Sequence, residues 1–145
     1  MPREYPEYPI ASVGVVIIKD SKVLLAQRGK EPARGRWTIP GGVIEVGETL
    51  HEAAKREIME ECNIEVAIGP LYKSYDSIVR DGAGRIRFHY VILDVLGTHV
   101  AGEVRAGGDV TDVRWIGTGD LGTLDVLPAV AELVRDVLGS AESAR

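Results

Sequence analysis

The chain predicts an α/β fold, a mixed β-sheet sandwiched between helices, in a single domain over residues 1–145. Three observations carry that expectation. Apolar, β-branched runs of strand length recur from residue 11 to residue 116. Two segments, one following Thr49 and one from Val126 to Leu138, repeat apolar residues at helical spacing. Neither an internal repeat nor a linker divides them, and 145 residues are enough to bury a core without staples.

The elements follow in order. Residues 1–9 hold three prolines and read as an extended arm. Ala11 to Ile18 is a buried strand, and Lys19-Asp20-Ser21-Lys22 turns into a second, Val23 to Gln27. Arg28 to Gly35 is a polar, basic loop, and Trp37 to Pro40 leads into Gly41-Gly42 and a short strand over Val43 to Val46. Thr49-x-x-Glu52 is a capping box that opens a helix, with Leu50, Ala53, Ala54, Ile58 and Cys62 as its apolar stripe. Ile64 to Ala67 and Tyr72 to Arg80 are strands, Asp81 to Gly84 a hairpin turn, Arg85 to Val95 its partner strand, and Val113 to Ile116 one more. A helix over Val126 to Leu138 closes the domain, and residues 139–145 form a loose tail.

Composition narrows the function classes. Hydrophobic residues make up 45% and charged residues 27%, the globular range rather than the disordered one. A net charge of −5 gives no reason to expect nucleic acid or an anionic membrane as partner, so an anionic small substrate must be attracted locally. The single Cys62 excludes an internal disulfide and fits a reducing, cytoplasmic setting. No apolar run approaches a membrane span, and the first nine residues lack a signal-peptide core.

The helix after Thr49 carries Glu57, Glu60 and Glu61 at i, i+3 and i+4, which places three carboxylates on one face. Like charges that close repel by a few tenths of a kcal/mol per exposed pair, whereas a hard divalent cation with oxygen ligands reverses the sign. On spacing alone the three acids would be read as a solvated face. The wider pattern changes that reading. From Gly42 to Ile64 the chain runs GVIEVGETLHEAAKREIMEECNI, which resembles the Nudix box of the Nudix hydrolases, G-x5-E-x7-R-E-U-x-E-E-x-G-U with U a bulky aliphatic residue. Gly42, Glu48, Arg56-Glu57-Ile58, Glu60-Glu61 and Ile64 match it. Asn63 stands where the family has glycine, and Asn is the next residue to tolerate the left-handed conformation after a helix end.

The resemblance implies a Nudix-type α/β/α sandwich and a Mg²⁺-dependent hydrolase, with Mn²⁺ as the alternative ion. It implies Glu57 and Glu61 as the principal metal ligands, Glu60 as a member of the cluster and the backbone carbonyl of Gly41 as a further ligand. Arg56 would orient the catalytic glutamates and Glu48 would brace the arginine. Magnesium suits the chemistry, because cleaving a diphosphate requires charge neutralisation, positioning and an activated water. Zinc lacks a ligand set, since His51, His89 and His99 are scattered and Cys62 reads as a packing residue. Glu52 is left to the capping box. The general base stays open between a box glutamate and a later loop acid, for which Asp109 is the candidate; its bland alternative is a turn aspartate beside two glycines.

For substrate binding the candidates are Arg28 and Arg36 in the basic loop, with Lys30 and Arg34 beside them, Trp37, and Arg80 and Arg85 of the hairpin. Arg85, Arg87 and His89 share one hairpin face and Phe88 and Tyr90 the other, and the sequence does not say which meets a nucleotide. WTIPGG, the box and DSIVRDGAGRIRFHYVILD together resemble the short ADP-ribose pyrophosphatase-like members, which implies cleavage of ADP-ribose to AMP and ribose 5-phosphate. A proline that some such members carry well past the box is missing. An oxidised or ordinary nucleoside triphosphate, a nucleotide sugar, and a nucleotide-sensing module without catalysis are the alternatives. The proline-rich arm can reach a neighbour, so a homodimer is a further expectation.

Overall fold

The apolar run at the start of the chain forms β1 (Ile10–Lys19), in which Val13, Val15, Val16 and Ile17 are essentially inaccessible to solvent. A strand apolar on both sides must be covered on both faces, and the rest of the fold supplies the covers. In the computed structural model, which describes residues 1–143, the strands are β1, β2 (Lys22–Arg28), β3 (Trp37–Thr38), β4 (Gly41–Val43), β5 (Glu65–Arg80), β6 (Ile86–Ala101) and β7 (Val110–Ile116). The helices are α1 (Leu50–Cys62) and α2 (Pro128–Ser143), with a 3-10 helix over Thr118–Thr123. The path is β3-β2-β1-β6-β5, with β4 added to β1 and β7 to β2. β1 and β6 run parallel and the other pairings of named strands are antiparallel, so the sheet is mixed.

The two faces carry separate cores. Ala53, Ala54, Ile58 and Cys62 of α1 pack on Val13, Val15, Ile17, Leu24 and Val95. Val130, Leu133, Val134 and Leu138 of α2 pack on Val16, Val23, Leu25, Trp37 and Ile39. Each fully buried aliphatic side chain here contributes about 1.5–3 kcal/mol relative to exposure. The α/β/α sandwich expected from the sequence is the fold.

The boundaries differ where local chemistry was misread. The two strands expected over 64–67 and 72–80 are one strand, β5, whose register shifts around Leu71, beside Pro70. Proline donates no ladder hydrogen bond, and an edge strand with a bulge absorbs it. The short strand expected at 43–46 begins earlier, because the glycine pair is itself the strand; a Cβ on Gly41 would lie 2.0 Å from the Val13 carbonyl oxygen. The last helix continues from Leu138 to Ser143, so most of the expected tail is helical, and residues 144 and 145 lie outside the described residues. The arm folds onto its own hairpin: the Tyr5 N–H donates to the Arg87 carbonyl at 2.7 Å and its hydroxyl to Asp81 at 2.9 Å.

Candidate functional site

α1 is pinned at both ends. At its start the Glu52 N–H donates to the Thr49 hydroxyl at 3.1 Å while the Thr49 N–H donates to the Glu52 carboxylate at 3.2 Å, the reciprocal pair expected from the sequence. At its end Asn63 takes the left-handed conformation, φ 60° and ψ 29°, and its side-chain amide donates to the Arg105 carbonyl at 2.7 Å. The asparagine therefore does the glycine's conformational work and also ties down the loop that leads to Asp109. Gly107 N–H, donating to the Glu61 carbonyl at 3.0 Å, fastens the same loop to the helix.

Between those ends lies a cluster centred on Arg56. Its guanidinium holds Glu48 through two bonds of 2.7 and 2.8 Å, Glu57 at 2.8 Å, Glu60 at 3.3 Å and the Val43 carbonyl at 3.1 Å. The two-pronged bond to Glu48 fixes the plane of the fork. It holds the Glu48 carboxyl at about 2 and raises Arg56 above its ordinary value. Glu57 sits against Gly42, where any Cβ would approach its carboxyl carbon to 2.3 Å, so the first glycine of the motif is the space the acid occupies. Gly42 is itself positioned by the Ser12 hydroxyl, which donates to its carbonyl at 3.0 Å.

Glu61 is different, because among the described residues no cation pairs with it directly. Its carboxylate accepts the Gly41 N–H at 2.8 Å, yet burial, reinforced by Glu57 and Asp109, pushes it up to about 7. Burial likewise raises Glu57. The cluster thus holds more negative charge than its arginine cancels, on oxygen donors alone, which is the donor chemistry of a hard divalent cation. Glu57, Glu60 and Glu61 have the donor chemistry to hold one, and Gly41, bonded to Glu61 through its N–H, lies beside them. Among the described residues no three acidic, histidine or cysteine side chains converge closely enough to hold an ion as they stand. Glu57 and Glu60 point to Arg56 and Glu61 to Gly41, so binding requires those side chains to rotate.

The remaining candidates divide. Arg28 lies close enough to lower Glu61, and its guanidinium donates to the Pro32 carbonyl at 2.6 Å. Asp109 also faces Glu61 electrostatically, and Lys30 reaches it at 3.2 Å. Both partners of that pair are more than 60% exposed, so the pair itself adds little stability. Arg36 is occupied by Asp125 and the Val126 carbonyl. Trp37 is a correction: its ring is 3% exposed in the α2-side core, under Arg114, and offers no face to a base. Arg80 and Arg85 are held within the hairpin turn, the former on the Gly84 carbonyl and the latter on Asp81 and over the Tyr5 ring. Cys62 is buried, with its thiol pushed up to about 12 by burial and by Glu61, which makes it a packing residue rather than a nucleophile. Sequence reading missed Ser12 and Asp94. The lone acid in the apolar run VILDVL was the available signal for the second.

Comparison with known proteins agrees with this geometry. The family model described as NUDIX domain matches residues 9–137. An ADP-ribose pyrophosphatase of Methanocaldococcus jannaschii is 37% identical over 114 residues, covering 79% of this chain but 65% of that protein, so the chain spans under two thirds of that relative's length. A putative 8-oxo-dGTP diphosphatase 2 of Mycobacterium tuberculosis is 35% identical over 137 residues, covering 89% of this chain and 91% of its own. The crystal structure of a NUDIX hydrolase from Nitrosomonas europaea superposes with a TM-score of 0.77 at 26% identity, over 97% of this chain and 76% of that one. With its box residues gathered around Arg56 on one end of the expected fold, the chain belongs to the Nudix hydrolase family, whose members are pyrophosphohydrolases.

Proposed function

We propose that this protein hydrolyses ADP-ribose to AMP and ribose 5-phosphate with Mg²⁺ as its cation. The observation that supports this substrate is the 37% identity to the Methanocaldococcus ADP-ribose pyrophosphatase, which includes the box region. Mg²⁺, when bound, supplies charge neutralisation and a more acidic water. The chain's own groups do the rest. Glu57 and Glu61 present oxygens from a rigid helix, and Arg56 sets the orientation of Glu57 and Glu60 while Glu48 fixes Arg56. Arg28 and Lys30 supply the local positive field that a chain of net charge −5 lacks elsewhere. Water adds through oxygen to one phosphorus, the bridging oxygen departs with the other phosphate, and Asp109 or a box glutamate takes the proton.

A nucleoside triphosphate is the second reading, favoured by the 91% length coverage of the 8-oxo-dGTP diphosphatase relative. A sensor without catalysis would not need the intact Arg56 network. The test is mass-spectrometric product identification after incubation with Mg²⁺ and a panel of ADP-ribose, nucleoside triphosphates and nucleotide sugars. AMP and ribose 5-phosphate should form, and both should vanish with EDTA and fall ~10³-fold in Glu61→Gln, the loss expected when a principal electrostatic group is removed. Cleavage of a triphosphate instead would replace the substrate and leave the reaction class standing.

A further inference from the structure

On the α2 side of the sheet a second acid is buried with nothing to bind. Asp94 of β6 has no exposed surface, and among the described residues neither carboxylate oxygen has a hydrogen-bond partner. Its place is built rather than tolerated. A Cβ on Gly14 would come within 2.4 Å of Asp94 Oδ1 and 2.7 Å of Ile39 Cδ1, so β1 carries a glycine where the carboxyl and Ile39 need room. The carboxyl lines a cavity of about 130 Å³ whose other walls include the aliphatic Ile39, Val130 and Leu133, with Lys73 and Tyr75 also lining it. At ~30 Å³ per water that is room for a few waters or the edge of one planar ring. An unpaired buried carboxylate is unfavourable, and an apolar residue here would make a more stable sheet. One acidic side chain among aliphatic walls is also a poor cation cage.

The cavity lies on the α2 face and the Nudix acids on the α1 face, and the register of β6, β1 and β4 connects the two. Gly14 pairs with Asp94 on one side and with Gly41 on the other, so the acid and the proposed ligand carbonyl stand in one row of the sheet, two strand spacings or ~10 Å apart. Ile39, in the cavity wall, precedes Gly41 by one residue, Pro40. A nucleotide with its diphosphate at Glu57 and Glu61 therefore has its base within reach of this cavity. We propose that Asp94 is a specificity-determining residue that accepts a hydrogen bond from the exocyclic amino group of the substrate's nucleobase, with Ile39, Val130 and Leu133 packing on the ring. The shared chemistry is an amino-bearing base, adenine or guanine. Burial and the nearby Lys73 pull the carboxyl in opposite senses, burial dominating at about 6, so it is an acceptor at neutral pH.

The inference rests on the proposed function for its diphosphate anchor, and the experiment separates the two. kcat/KM is compared for ADP-ribose against its unsubstituted-purine analogue, in which hydrogen replaces the 6-amino group, and for GTP against ITP, so that each pair differs by one amino group. The wild type should favour the amino-bearing member of whichever pair it cleaves by ~10²-fold or more, as sites built to bond a substrate N–H do. Asp94→Leu, which has no acceptor, should bring the ratio to about one, while Asp94→Asn, which keeps one acceptor oxygen, should restore much of it. A buried residue with a merely structural role would lower activity without moving the ratio. Failure to cleave ADP-ribose overturns the substrate reading, and the GTP and ITP pair still tests Asp94. Cleavage of ADP-ribose with no preference in the wild type, or with the same preference in Asp94→Leu, overturns the Asp94 inference alone. Should Asp94→Leu not fold, or neither pair be cleaved, thermal shifts of the wild type decide: adenosine must raise Tm more than purine riboside does, or guanosine more than inosine, and equal shifts within both pairs sink the proposal.

Discussion

The two faces of this sheet bury acid in opposite ways. On the α1 face Glu48, Glu57 and Glu60 share one guanidinium and Glu61 takes a backbone N–H, so each of these acids has a named partner. On the α2 face Asp94 shares its cavity with aliphatic side chains, Lys73 and Tyr75, yet among the described residues it has no hydrogen-bond partner. The difference teaches that burial of charge here has two outcomes. Where donors are supplied, the acids are held in an ordered network with surplus negative charge, which a cation could draw on once the side chains rotate. Where no donor is in bonding contact, the acid raises the free energy of the fold, offset only in part by the nearby Lys73.

The largest expected effect breaks the comparison on the α2 side. Asp94 titrates at about 6 in the fold against an ordinary 3.8. Its folded-state value is raised, so the fold favours the protonated acid. The associated stability is fully present below pH ~4 and is lost as pH rises through ~6. Two units correspond to about 3 kcal/mol. Asp94→Leu should therefore unfold at a higher denaturant concentration than the wild type above pH 6, and the gap should narrow on acidification towards pH 4. A gap that is the same at pH 4 and pH 8 would show that the carboxyl is satisfied in solution.

The same contrast explains what was legible in the sequence. The α1 site was readable because a short, continuous helix with a capping box carries its residues at fixed spacing, so order along the chain is order in space. Even the Asn63 departure was readable, since left-handed preference is a property of one residue. The α2 site was not, because Gly14, Asp94 and Leu133 come from three elements and Ile39 from the link between β3 and β4, and they meet only through the parallel β1–β6 register and the crossing of α2. Trp37 shows the reverse error. As an indole it is a candidate to stack on a base, but β3 pairs with β2 and turns the ring into the core. Likewise the strands expected over 64–67 and 72–80 are one, because an edge strand that takes up Pro70 by a shift of register has no local signature.

A smaller effect sharpens the α1 half. Arg56→Lys keeps the charge and loses the fork, so the paired bonds to Glu48 and the simultaneous contacts to Glu57 and Glu60 cannot all survive. Loss of a group that orients metal ligands typically reduces activity or metal affinity by ~10–100-fold. The reduction should appear in kcat and in the Mg²⁺ concentration needed for half activity, with base preference unchanged. A lysine variant with wild-type Mg²⁺ dependence would mean that charge, not orientation, is what Arg56 supplies.

The smallest effect concerns how α1 is held. Thr49 and Glu52 satisfy each other's backbone N–H groups at the helix start, on exposed surface away from the Arg56 fork. Thr49→Ala removes the hydroxyl that accepts the Glu52 N–H and should destabilise the fold by about 1 kcal/mol. For a domain of this size that lowers Tm by roughly 2–4 °C. Activity per folded molecule should hold, because the cluster is fixed independently by Glu48, by the Val43 carbonyl and by the loop tied to Asn63. If kcat falls along with Tm, the cap does more than start the helix: it sets the position of the acid face, and the rigidity attributed to the arginine fork belongs in part to Thr49.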